Sequence, residues 1–103
     1  MLIPEHKFLV QEIHAPESTP NGKHQFQRII LNKPGYTDEF GEKVGKDDIY
    51  ECTAWNRKIE EIPLLKTGDK VKALLNIQGN ETIDQNGKKM WFTQITIRKI
   101  EKL

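Results

Sequence analysis

Apolar and polar residues alternate through several segments of this chain, and the period changes twice between residues 48 and 79. Tyr50, Cys52 and Ala54 alternate with Ile49, Glu51, Thr53 and Trp55, the two-residue period of a strand with distinct faces. Ile59, Ile62 and Leu65 then recur at threes, the spacing of one face of a short helix. Val71, Ala73, Leu75 and Ile77 return to period two. The pattern predicts a strand from about Asp48 to Trp55, a short amphipathic helix, a turn at Gly68 and Asp69, and a strand from Lys70 to Gln78. Asn56 is the expected N-cap of the helix, and Gly68 is expected to turn left-handed at its exit.

The flanks read the same way. His6 to Ile13 alternates as a first strand with Phe8 and Val10 on one face, and Pro16 ends it. Glu17 to Lys23 is turn-rich, and Gln25 to Leu31 is a second strand that pairs with the first as a hairpin. From Asn32 to about Asp48, Pro34, Gly35, Gly41 and Gly45 are expected to prevent regular structure, leaving a long flexible loop. Asp84-Gln85-Asn86-Gly87 marks the tip of a last hairpin, followed by a strand from Met90 to Ile100 with Ile95 and Ile97 facing the core. Five strands with a helix between the third and fourth make one all-β domain over residues 1–103. That order is the five-stranded OB-fold Greek-key barrel, with the helix plugging one end.

Composition changes the picture little. The chain has 103 residues, 30 % of them charged and 36 % hydrophobic, with a net charge of +1. That is a soluble globular balance without the basic excess that announces a polyanionic partner. The charge is uneven: residues 32–48 carry three Lys and five acids, whereas residues 56–79 and 80–103 each carry five basic and three acidic residues. Cys52, the sole cysteine, allows no intrachain disulfide and reads as a small core residue. The absence of a signal-like or membrane-length apolar run predicts a cytoplasmic protein with no membrane partner. His6, His14 and His24 are scattered, no metal-ligand spacing occurs, and no Gly-rich phosphate loop precedes a helix. The expectation is a non-enzyme with no metal, cofactor or small-molecule substrate.

Parity then selects surface candidates. With Tyr50, Cys52 and Ala54 inward, Trp55 points outward beside Arg57 and Lys58, an aromatic next to two cations. Flat rings stack bases and cations neutralise phosphates, so the trio fits a single strand of nucleic acid. The competing reading packs Trp55 over the helix or into an oligomer interface. Trp91 and Phe92 must face opposite sides. Trp91 shares parity with Ile95 and Ile97, predicting core or barrel rim, and Phe92 is expected at the surface. Tyr36 and Phe40, with Lys33 nearby, lie in the long loop and either pack on their own strands or touch ligand. Lys88, Lys89 and Arg98 are further phosphate candidates, although paired lysines at a turn more often form a solvated face. Glu51 repels phosphate and predicts weak, salt-sensitive binding.

From Ile49 onward the sequence resembles bacterial single-stranded-DNA-binding proteins, in the segments IYECTAWNRKIEEI, LKTGDKV and DQNGKKMWFTQI. It is also similar to a small uncharacterised bacterial OB-fold family with a W-x-x-K-I-x-x-[IF] helix entry and a W-[FY]-T-x-I closing strand. Trp55, Lys58, Ile59, Ile62, Trp91, Phe92, Thr93 and Ile95 carry that second similarity. The length and the loop ESTPNGKHQFQ are similar to the dimeric primosomal replication protein N group. The resemblance implies sequence-tolerant binding of single-stranded DNA, or RNA, in replication, repair or recombination, by a homodimer or homotetramer. Two departures matter. Ile49 stands where the binders place an aromatic, and the chain stops at Leu103 without their acidic-aromatic tail, so tail-borne partner recruitment is not expected. The alternative is an OB-fold assembly module of a replication or mobile-element complex, with Trp55 and Phe92 as protein contacts.

Overall fold

The computed structural model describes the backbone of residues 2–103 and the side chains of residues 6–103. Five long strands form the body: β1 (Leu2–Ile13), β3 (Gln25–Lys33), β6 (Asp48–Trp55), β7 (Lys70–Ile83) and β8 (Lys89–Lys102). Three two-residue strands, β2 (Glu17–Ser18), β4 (Tyr36–Thr37) and β5 (Lys43–Val44), decorate the loops. The sheet runs β1-β7-β8-β6-β3-β2, and β1 also pairs with β3, which closes the barrel. All long pairings are antiparallel except β6 with β8, which run parallel at Thr53 and Thr96. This is the OB-fold that the strand order predicted.

Alternation fills the barrel. Phe8 and Val10, Ile29 and Leu31, Cys52 and Ala54, and Val71, Ala73 and Leu75 are all buried. Ile97 and Ile100 complete the cluster from β8 although they lie three residues apart. The register slips by one between Leu74 and Leu75, whose partners are Lys99 and Ile97. The extra residue is Arg98, and a bulge there restores Ile100 to the inside. Gln27 is also buried, and its Nε2 donates to the His14 carbonyl at 2.8 Å. Burial raises the Cys52 thiol pKa to about 12, so this cysteine packs and does not react.

Several expectations change. The helix, Asn56–Leu64, is 3₁₀ throughout, with Pro63 inside it. Three residues per turn explains why Ile59, Ile62 and Leu65 recur at threes: they form one ridge against the barrel. Asn56 is not its cap. It adopts φ +52, a left-handed conformation that Asn tolerates, and its Oδ1 accepts from the Gln25 backbone N–H at 3.1 Å. The segment expected to lack regular structure holds a small hairpin of β4 and β5. Asp38 Oδ1 organises its turn by accepting from the Phe40 and Glu42 N–H groups at 2.9 and 3.0 Å. Gly68 takes its expected positive φ, +93.

β7 and β8 are each longer than predicted and continue past the barrel as a two-stranded arm. Its tip is closed by Asp84 Oδ1, which accepts from the Asn86 and Lys88 N–H groups, with Gly87 at φ +79. Burial on these strands fades at Ile77 and Ile95, and among the described residues no third strand pairs with them beyond Asn76 and Thr96. Trp91, expected in the core or rim, is therefore 71 % exposed, and Phe92 is 52 % exposed. Both residues lie beyond the buried part of the barrel, and Trp91 is the more exposed of the two, the reverse of the expectation. The arm stretches the molecule to 54 × 33 × 21 Å.

Candidate nucleic-acid interface

The outer face of β3 and β6 follows from register. Phe26 pairs with Trp55, Arg28 with Thr53, Ile30 with Glu51 and Asn32 with Ile49. These are the outward residues, because Gln27, Ile29 and Leu31 on β3 and Cys52 and Ala54 on β6 point into the barrel. The parallel match of Thr53 with Thr96 brings β8 alongside. Three strands thus present a continuous surface.

Phe26 and Trp55 touch, with ring centres 5.3 Å apart and planes at 42°. The Arg28 guanidinium lies 5.6 Å from the centre of the Phe26 ring, within cation–π range. Its Nε is 3.9 Å from Glu51 Oε1. Beside the pair opens a groove of about 300 Å³, shared with Thr53, Phe92 and Gln94. On the other side of Trp55 a second groove of about 400 Å³ is bordered by Lys58, Thr96 and Arg98. The bulge in β8 aims Arg98 there, and Lys58 also meets Glu61 at 3.6 Å. Trp55 is the common wall of both grooves.

The structure thus brings Trp55, Lys58, Arg98 and Phe92 together. Arg57 is exposed at the start of the helix and borders neither groove. Lys88 and Lys89 sit at the arm tip. Lys33, Tyr36 and Phe40 belong to the far end of the β3–β6 hairpin. Lys33 pairs with Asp48, the opposite end of β6 from Trp55, about 23 Å away along an extended strand. Tyr36 and Phe40 are highly exposed and do not pack on their own strands as one expectation had it. Phe26 and Arg28 join Trp55 on this candidate surface, and sequence reasoning missed them. Their signal was present, since in QFQRIIL they alternate outward against Gln27, Ile29 and Leu31.

The β4–β5 loop has its own anchor. Asp47 accepts from Lys43 Nζ at 2.6 Å, the Gly35 N–H at 2.9 Å and Asn32 Nδ2 at 3.3 Å. These donors, the Lys43 bond foremost, hold the Asp47 pKa down at about 2. Among the described residues, no three His, Cys, Asp or Glu side chains group as metal ligands, and no helix is long and apolar enough to cross a membrane.

A family model for a domain of unknown function, DUF3127, matches residues 7–101. The chain belongs to the DUF3127 family. No protein of curated function matches it. Three solved structures similar to this DUF3127 chain are single-stranded DNA-binding proteins. A deletion mutant of the one from Thermus aquaticus aligns with TM-score 0.68 and 17 % identity, over 96 % of this chain and 49 % of that one. The present chain thus spans about half of the Thermus aquaticus chain. The mitochondrial protein Rim1 from S. cerevisiae aligns with TM-score 0.68 and 10 % identity, over 100 % of this chain and 94 % of that one. The small single-stranded DNA-binding protein from Streptomyces coelicolor gives 0.63 and 16 %, over 99 % and 93 %. At these identities the likeness establishes the fold of the DUF3127 domain.

Proposed function

We propose that this protein binds single-stranded DNA, or RNA, with little sequence preference, as a non-enzymatic component of cytoplasmic DNA replication, repair or recombination. The observation that carries the reading is the Phe26–Trp55 pair flanked by Arg28, Lys58 and Arg98 between two open grooves. Every base has a π-face, so stacking contributes about 1–3 kcal/mol per base without reading sequence. Lys58 and Arg98 neutralise phosphates beside Trp55, and Lys88 and Lys89 extend the positive track along the arm. Strands 2 and 3 of an OB-fold and its last hairpin loop are the surfaces this architecture offers to oligonucleotides. That the three similar structures are single-stranded DNA-binding proteins supports the same reading. A homodimer or homotetramer would raise avidity by linking short grooves.

The test is fluorescence anisotropy of labelled oligo-dT at low and moderate salt, with Trp55→Ala in parallel. The expected result is salt-dependent binding that the variant weakens by about 10- to 100-fold. Absence of binding at tens of micromolar would overturn the reading in favour of a protein-assembly module. The exposed Ile83, Met90, Trp91 and Phe92 of the arm favour that second reading, because apolar residues clustered at a surface mark protein contacts.

A further inference from the structure

Glu51 is out of place on a surface that meets phosphates. It stands on the outer face in the groove beside Trp55 and Phe26, its side chain 63 % exposed, with the Arg28 guanidinium 3.9 Å away. A carboxylate there is unfavourable toward the backbone of a nucleic acid and favourable only toward donors on a base edge. We propose that this groove is a base subsite selecting guanine, read by Arg28 and Glu51 together; the inference rests on the nucleic-acid reading above.

A base stacked on the Phe26–Trp55 pair brings its edge to the next positions along the strands, Arg28 paired with Thr53, then Glu51. Guanine alone combines two adjacent donors, N1–H and the N2 amino group, with two adjacent acceptors, O6 and N7. The donors match the two oxygens of a carboxylate, and the acceptors match the guanidinium fork. Arg28 and Glu51 are neighbours on adjacent strands, so the two functions lie side by side as they do on the base. Thymine has a single N3–H donor between two carbonyl oxygens, so it cannot give a carboxylate two adjacent donors. Adenine has no N1–H, and cytosine offers a single amino donor beside acceptors. In a single strand these edges are free to be read. The cation–π contact with Phe26 keeps the guanidinium within the groove. Stacking still supplies most of the affinity, so other bases are accepted with lower affinity at this position.

The experiment compares dT15 with the same strand carrying one central dG, dA or dC, by competition anisotropy at fixed salt. The dG strand is expected to bind about tenfold tighter than dT15. Replacing that dG with inosine, which lacks the N2 amino group, or with 7-deazaguanine, which lacks the N7 acceptor, should each remove part of the gain. These analogues need no change to the protein, so a folding defect cannot confuse them. Glu51→Gln should bring the dG:dT ratio close to one, while raising affinity for dT15 by removing a repulsive charge. Arg28→Lys keeps the charge but loses the fork, and should lower the same ratio. Binding of dT15 with no preference for dG, or a preference that inosine and 7-deazaguanine reproduce in full, overturns the guanine subsite and leaves single-strand binding standing. Failure of every oligonucleotide to bind overturns both.

Discussion

The same two strands behave differently on either side of Ile77 and Ile95. Below that line β7 and β8 are part of a closed barrel, and Val71, Ala73, Leu75, Ile97 and Ile100 are buried. Above it the pairing continues from Gln78–Gln94 to Ile83–Lys89, but Ile83, Met90, Trp91 and Phe92 are exposed. Hydrogen-bonded pairing alone therefore does not make a core. What differs among the described residues is whether a third strand pairs with them, since a two-stranded ribbon alone is marginally stable in water. The barrel half supports the fold, and the arm is available for contact.

The contrast is sharpest in stability. Leu75→Ala should cost about 2–5 kcal/mol in urea unfolding, because it deletes fully buried methyl groups in a closed barrel. Ile83→Ala, one face and eight residues further along β7, should change stability by about 0.5 kcal/mol or less. Equal losses at the two positions would mean that the arm is packed against something.

The other excursion from the barrel, the β4–β5 loop, is held by a carboxylate in place of apolar packing. Asp47 has its pKa depressed from 3.8 to about 2, so its hydrogen-bonded form is fully present above pH 4. Its contribution is lost as pH falls through about 2. Amide shifts of Gly35, which donates to Asp47 Oδ1, should titrate in that low window. Gly35→Ala should disturb the same loop at neutral pH, because an added Cβ would sit 2.8 Å from the Gly45 carbonyl oxygen.

The smallest effect is electrostatic. If the arm tip follows the strand, Lys88→Ala and Lys89→Ala should each weaken oligo-dT binding modestly. Each should reduce the slope of log affinity against log salt by about 0.7. An unchanged slope would confine the DNA track to the barrel face.

Much of this was legible from periodicity. The alternation through Tyr50, Cys52 and Ala54 located β6 and turned Trp55 outward, and Gly68 marked the helix exit. What periodicity could not give was the length of barrel beneath each strand. Trp91 continues the parity of Ile95 and Ile97, but it lies beyond the last described pairing of a third strand with β7 and β8 and is exposed. The outward face of Phe26 and Arg28 was legible in the alternation of QFQRIIL, but their place beside Trp55 and Thr53 depends on cross-strand register, which no local pattern announces. Asn56 was misassigned because its side chain satisfies the start of β3, thirty-one residues away, instead of its own helix.

The most direct test of the central claim uses the two tryptophans, one on the barrel and one on the arm. In a Trp91→Phe protein, Trp55 is the sole indole, and its emission can be followed as oligo-dT is added at two salt concentrations. Saturable quenching that weakens with salt is the predicted result, since bases stack on Trp55. Binding seen by anisotropy with no change in Trp55 emission would contradict the account and move the site off the barrel face.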